Sequence, residues 1–150
     1  MFGLEWLTAH RNESFRGRKM DSLIVVGIGG FFGANARYLL SLWTDNLLLS
    51  RWGAFPYGTL LVNVLGSFGL ALFGAWFSAR AGMPPQLRLL VGAGFFGAFT
   101  TFSTFANENI ALMQGGASAL FLLNILLTNA SCLLGVVAGL FLGQRLLGLT

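Results

Sequence analysis

Four long apolar stretches separated by short polar breaks dominate this chain, at Leu23–Trp43, Pro56–Phe77, Leu87–Leu112 and Ala117–Leu142. Each approaches the roughly 20 residues a helix needs to cross a bilayer. The pattern predicts an all-α integral membrane protein with four transmembrane helices. Polar and small positions inside the stretches recur at helical spacing, which puts them on shared faces. In the second span these are Thr59, Asn63, Gly66 and Ser67. In the fourth, Asn124, Thr128 and Ser131 form a polar stripe that runs on into Gly135, Gly139 and Gly143. The stripe and the glycine ladder need not serve the same surface. In the first span Gly29 and Gly33 form a GxxxG pair, which lets another helix backbone come close.

The third span departs from this regularity. Its segment GAGFFGAFTTFSTFANEN, residues 92–109, crowds glycines, phenylalanines and hydroxyls together and ends near an acid. The run Thr100, Thr101, Ser103, Thr104 is poor helix-forming sequence, flanked by Gly92, Gly94 and Gly97. Either the hydroxyls bond back to carbonyls one turn earlier, or the helix is broken near its middle. Irregular backbone at membrane depth is tolerated only when buried in protein or lining a cavity. A break would free carbonyls to hold a cation. Phe102 and Phe105 are three apart and share a face if the helix after the break is regular. A phenyl ring has a positive edge, which can meet an anion. Asn63 either bonds a neighbouring helix or donates its NH2 group into a narrow polar path.

Composition agrees with a membrane class: 9% charged residues against 55% apolar, where soluble domains usually carry about 25% charged. The net charge of +4 reads as an orientation signal rather than as nucleic-acid binding. Arg11, Arg16, Arg18, Lys19, Arg80, Arg88 and Arg145 fall on one side of the four spans and Arg51 on the other. Both termini are therefore expected in the cytoplasm. Residues 1–22 read as a basic tail and 23–145 as the four-helix membrane domain. The run MDSLIVVGIGG resembles a second start at Met20, which would leave three basic residues against one and permit both orientations. Arg37 lies within the first span, where a charge is costly; it either snorkels or pairs structurally, or it attracts anions. Glu108, near the end of the third span, reaches the interface or caps polar groups. Cys132 is the single cysteine and His10 the single histidine, so a disulfide within one chain and a His relay in the spans are excluded. No nucleophile–base pair or metal set suggests an enzyme.

Three motifs in order, GGFFGANARY, GTLLVNVLGSF and GAFTTFSTFANE, resemble the small bacterial fluoride channels of the Fluc or CrcB family. The resemblance spans essentially residues 24–142. It implies a fluoride-selective channel in the bacterial inner membrane that lowers cytoplasmic fluoride. It also implies an antiparallel, dual-topology homodimer with two pores and a central structural Na+. The main-chain carbonyls of Gly97 and Thr100 would hold that sodium. Asn63, Phe102 and Phe105 match the family's pore residues, and Thr59, Arg37 and Glu108 match family positions. Thr104 joins the pore candidates, as do Asn124, Thr128 and Ser131 on the fourth span. The expected partners are fluoride, sodium, the lipid bilayer and a second copy of the chain. A proton-coupled multidrug exporter would need an embedded carboxylate, for which Glu108 is the candidate; a membrane scaffold would explain the glycines but not the Thr/Ser cluster beside Asn63.

Overall fold

The computed structural model describes the backbone of residues 4–52, 55–80 and 82–148, with side chains described over 19–48, 55–80 and 82–148. The side chains of His10, Arg11, Arg16, Arg18 and Arg51 lie outside the described residues. The elements are α1 (Leu4–Trp52), α2 (Tyr57–Ser78), α3 (residues 85–99), α4 (Phe102–Gln114) and α5 (Ser118–Leu146). Among the described residues, four helical segments are long and apolar enough to cross a membrane: Lys19–Leu48, Tyr57–Ser78, Pro85–Gln114 and Ser118–Leu146. The protein is a multi-pass, all-helical membrane protein.

The first crossing runs further at both ends than the sequence pattern predicts. Thr44, just past the predicted end, does not stop the helix because it bonds back into it, Oγ1 donating to Leu40 O at 2.7 Å, as mid-span Asn35 Nδ2 does to Phe31 O at 2.7 Å. Ends are set by backbone chemistry. Pro84 sits in extended conformation and Pro85 opens α3, a position where the missing N–H costs nothing. After α4, Gly116 takes φ +76° while its N–H bonds Met113 O and the Ala117 N–H bonds Leu112 O. That pair of bonds is a Schellman turn, which reverses the chain into α5. Residues 88–96 of α3 form wide π-type turns, bonded i to i+5.

The interior is polar and small, and the outside is apolar. The buried large apolar residues are Phe55, Val62, Phe99 and Phe105, beside the buried polar set Thr44, Thr59, Asn63, Thr101, Asn109, Asn124 and Thr128. Phe31, Phe32, Leu126, Leu133 and Leu134 are exposed where lipid tails would meet them. Lipid is as apolar as leucine, so close backbone approach and hydrogen bonds hold the helices together instead. Glycines supply the approach. A Cβ on Gly29 would fall against the backbone of Leu90, Gly94 and Phe95, and one on Gly94 would lie 2.9 Å from Gly29 Cα. The GxxxG pair of α1 is thus used against α3 of the same chain. On α5, Gly135, Gly139 and Gly143 pack on Val64, Phe68, Ala71 and Ala75 of α2. Asn124 and Thr128 are buried in register with these glycines, so stripe and ladder form one continuous face.

Candidate ion pathway

Helical backbone stops after Phe99. Thr100 (φ −80°, ψ 155°) and Thr101 (φ −150°, ψ 115°) are extended, and α4 restarts at Phe102. Two side chains determine how the freed backbone is satisfied. Asn63 of α2 acts as a strand-like neighbour: Thr101 N donates to its Oδ1 at 2.8 Å, and its Nδ2 donates to Thr101 O at 3.1 Å. Thr101 then caps α4, its Oγ1 accepting from Thr104 N at 3.2 Å and donating to Thr104 Oγ1 at 3.0 Å. Ser103 Oγ lies 3.2 Å from the same hydroxyl. Thr100 behaves differently, its Oγ1 donating one turn back to Phe96 O at 3.0 Å.

These bonds have a consequence for two carbonyls. In a continuous helix Gly97 O would accept from Thr101 N, and Thr100 O from Thr104 N. Both donors are taken, by Asn63 Oδ1 and by Thr101 Oγ1 respectively. The carbonyls of Gly97 and Thr100 are therefore relieved of their ordinary helical partners. Gly97 is also exposed.

Asn63, Ser67, Thr101, Phe102 and Thr128 meet around a cavity of about 180 Å³, together with Asn129 and Cys132. Asn63 uses one of its two amide hydrogens on Thr101 and keeps the second. Phe102 and Phe105 have ring centroids 5.6 Å apart, but their settings differ. Phe105 is 7% exposed and belongs to the core, whereas Phe102 is 77% exposed. Thr104 is exposed beside it.

Toward the far end of α4, Thr59 Oγ1 donates to Glu108 Oε1 at 2.7 Å, while Glu108 Oε2 is buried without a partner. Asp45 Oδ1 accepts from Gly58 N at 2.8 Å, which caps the start of α2. Asp45 and Glu108 share a cavity of about 480 Å³ with Phe55 and Leu112. On α5, Thr128 Oγ1 donates to Asn124 Oδ1 at 3.0 Å, and Asn124 Nδ2 is buried with no acceptor. Ser131 is half-buried and does not line the smaller cavity, where Cys132 does. Arg37 is half-buried, with no hydrogen bond or ion pair among the described residues.

Two polar residues near the pathway escaped the sequence reading. Asn109 is 4% exposed, its Nδ2 donating to Phe105 O at 2.7 Å and its Oδ1 unpartnered. Asn129 reaches the small cavity from α5. Their spacing held the signal: Asn109 stands one turn beyond Phe105, and Asn129 lies next to Thr128.

Residues 24–140 match the family described as CrcB-like protein, Camphor Resistance (CrcB). The chain belongs to the CrcB family. Relatives within it include the "Fluoride-specific ion channel FluC" of Shewanella sp. (strain ANA-3), 43% identical over 127 residues that cover 85% of this chain and 96% of the relative. The protein of the same name from Shewanella denitrificans is 44% identical over 128 residues, with the same coverage. That of Shewanella woodyi is 42% identical over 127 residues, again covering 85% and 96%. The CrcB match contains the Asn63–Thr101 pairing, the Thr59–Glu108 bond and the Asn124–Thr128 bond of α5.

Proposed function

We propose that this protein is a fluoride-selective channel that lets cytoplasmic fluoride leave a bacterial cell passively through the inner membrane. The names of its relatives support the cargo. The observation that carries the mechanism is the convergence of Asn63, Phe102 and Thr128 on one cavity beside interrupted backbone. Fluoride is small and strongly hydrated, so a pathway must replace water with donors. Asn63 offers its remaining amide hydrogen, and Thr128 a hydroxyl that can turn from Asn124 toward an anion. The ring edges of Phe102 and Phe105 add weak positive potential without a full charge. Thr59, Thr104 and Asn124 extend the donors along the path, and Arg37 raises the local anion concentration. Weak, distributed contacts suit conduction, since an ion must enter and also leave.

The working unit in this reading is an antiparallel homodimer. Interrupted backbone at membrane depth requires cover, and the exposure of Gly97 and Phe102 supports a second copy as that cover. The interruption at Thr100–Thr101 is read as the break of the third span. A central sodium fits the donor chemistry, because the Gly97 and Thr100 carbonyls have lost their helical donors and carbonyl oxygen suits a hard cation. Bound there, sodium would supply fixed positive charge that offsets anion desolvation.

Liposomes holding the purified protein and loaded with fluoride test this. Release should begin only when valinomycin opens a potassium path, with no matching chloride release. Asn63→Ser removes the spare amide donor, worth about 1 kcal/mol, together with the brace on Thr101, and should slow release by at least about fivefold. Release driven by a pH gradient without ionophore, and lost in Glu108→Gln, would replace the channel with a coupled exporter. No release from well-assembled protein would leave a scaffold.

A further inference from the structure

A second cavity of about 570 Å³ lies outside the ion pathway, in a groove between α2, α3 and the end of α5. Its lining runs from Gly69 and Phe96, within the spans, past Phe73 and Trp76 to Arg80 and Leu147, just beyond the ends of α2 and α5. Gly69 leaves room for the ring of Phe96; a Cβ there would lie 2.6 Å from Phe96 Cε1. Residues 69, 73, 76 and 80 recur at three- and four-residue steps, so they line one face of α2 and its end. At 1.5 Å per residue the face runs about 16 Å, close to half of a hydrocarbon core about 30 Å thick.

Polarity along the groove is ordered. Its walls are apolar throughout and the cation stands only at the Arg80 end. Arg80 is held there by its own helix, the guanidinium lying 4.6 Å from the Trp76 ring centroid. No carboxylate pairs with it among the described residues, so its charge is available to a ligand. The order of parts, an apolar leaflet-deep channel and then one cation at headgroup level, matches a phospholipid: acyl chain, then phosphate. Arg145 lies at the same membrane face but stacks on Phe141, outside the groove.

We propose that this groove binds one anionic phospholipid, with an acyl chain along Phe73 and Trp76 and the phosphate at Arg80. Basic pockets between transmembrane helices hold anionic headgroups by this chemistry. A zwitterionic headgroup carries its own cation, which competes with Arg80 for the phosphate. The site asks only that the protein lies in a bilayer, and it stands whether or not the fluoride reading does.

Native mass spectrometry of the purified protein with equimolar phosphatidylglycerol and phosphatidylcholine reads the preference. The wild type and Arg145→Gln should retain phosphatidylglycerol on the order of fivefold more, and Arg80→Gln should retain the two about equally. Equal losses in Arg80→Gln and Arg145→Gln would reduce the effect to diffuse charge and overturn the site, as would no loss in Arg80→Gln. A second reading does not depend on any Arg80 variant folding. Phosphatidylglycerol brominated on its chains should quench a fluorescence component of the wild type that is missing in Trp76→Phe. Quenching that is the same in both proteins overturns the proposal; it is the result expected if a second copy of the chain fills the groove.

Discussion

Residues 85–99 and 100–109 are consecutive parts of one membrane crossing, yet they are held by opposite means. The first part lies against α1 through glycine on glycine, with Gly94 and Gly29 so close that neither tolerates a Cβ. The second part is held by side-chain hydrogen bonds, Asn63 to the Thr101 backbone and Thr59 to Glu108. In a solvent of hydrocarbon both devices replace the hydrophobic effect, which gains nothing from moving leucine out of lipid. They leave different remainders. At the Gly29–Gly94 approach, steric contact fixes a helix and frees no polar group. Hydrogen-bonded contact fixes the chain and leaves spare capacity: one amide hydrogen, two relieved carbonyls and a small cavity. A pathway for ions can be built beside the second kind of contact and not beside the first.

Breaking the steric half should have the largest effect. Gly29→Val places its new atoms against the backbone of α3, including Phe95 N at 2.9 Å and Gly94 Cα at 3.0 Å, and no side chain there can rotate away. The cost should exceed the upper end of ordinary overpacking, about 3 kcal/mol, and abolish a monodisperse peak on size exclusion in detergent. Gly27→Val, on the same helix with nothing within 4 Å, should elute and melt like the wild type. Equal behaviour of the two variants would show that the close approach does not hold α1 to α3.

Breaking the hydrogen-bonded half should be milder for the fold and worse for flux. Asn63→Ala strands both the N–H and the C=O of Thr101. Each stranded buried group costs about 1–3 kcal/mol. The adjacent 180 Å³ cavity gives them partial access to water, so the lower end, about 2 kcal/mol in total, is expected. The protein should still purify while fluoride release falls sharply. A variant that melts with the wild type would mean Asn63 is not the brace for the interruption.

The spans themselves were legible because hydropathy and length decide them without tertiary context. The stripe of Asn124 and Thr128 and the ladder of Gly135, Gly139 and Gly143 on α5 were legible in the same way, but that they share one buried face was left open by spacing alone. What was hidden needed partners from elsewhere in the chain. Asn63 finds Thr101 thirty-eight residues away, and nothing local says which of its two polar atoms stays free. Phe102 and Phe105 read as neighbours on one face, yet one fills the core and the other lies outside, because burial depends on which helices stand alongside. The C-terminal extent of the first crossing was missed because Thr44 looks like a break in sequence and is silent in structure, bonded to its own helix. The π-type turns over residues 88–96 have no residue code beyond glycines that do not resist them.

The finest comparison lies between two neighbours of the same chemistry. Thr100 and Thr101 are both β-branched, both in extended backbone and both replaceable by isosteric valine. Thr100 Oγ1 donates to Phe96 O, a carbonyl that already accepts from Thr100 N at 3.1 Å. Losing that hydroxyl strands nothing, and Thr100→Val should shift stability by less than about 0.5 kcal/mol. Its carbonyl survives the substitution, so any sodium dependence of stability should survive with it. Thr101 Oγ1 is the cap of α4 and the centre of the Ser103 and Thr104 hydroxyl cluster. Thr101→Val strands Thr104 N, and the loss of such a cap costs about 1 kcal/mol. With its capping oxygen gone, Thr104 N is free to return to Thr100 O as in a continuous helix, which takes back one of the two relieved carbonyls. Thr101→Val should therefore weaken stabilisation by added sodium in thermal melts, while Thr100→Val leaves it unchanged. If the two valines weaken it equally, the hydroxyls and not the freed carbonyls govern the ion.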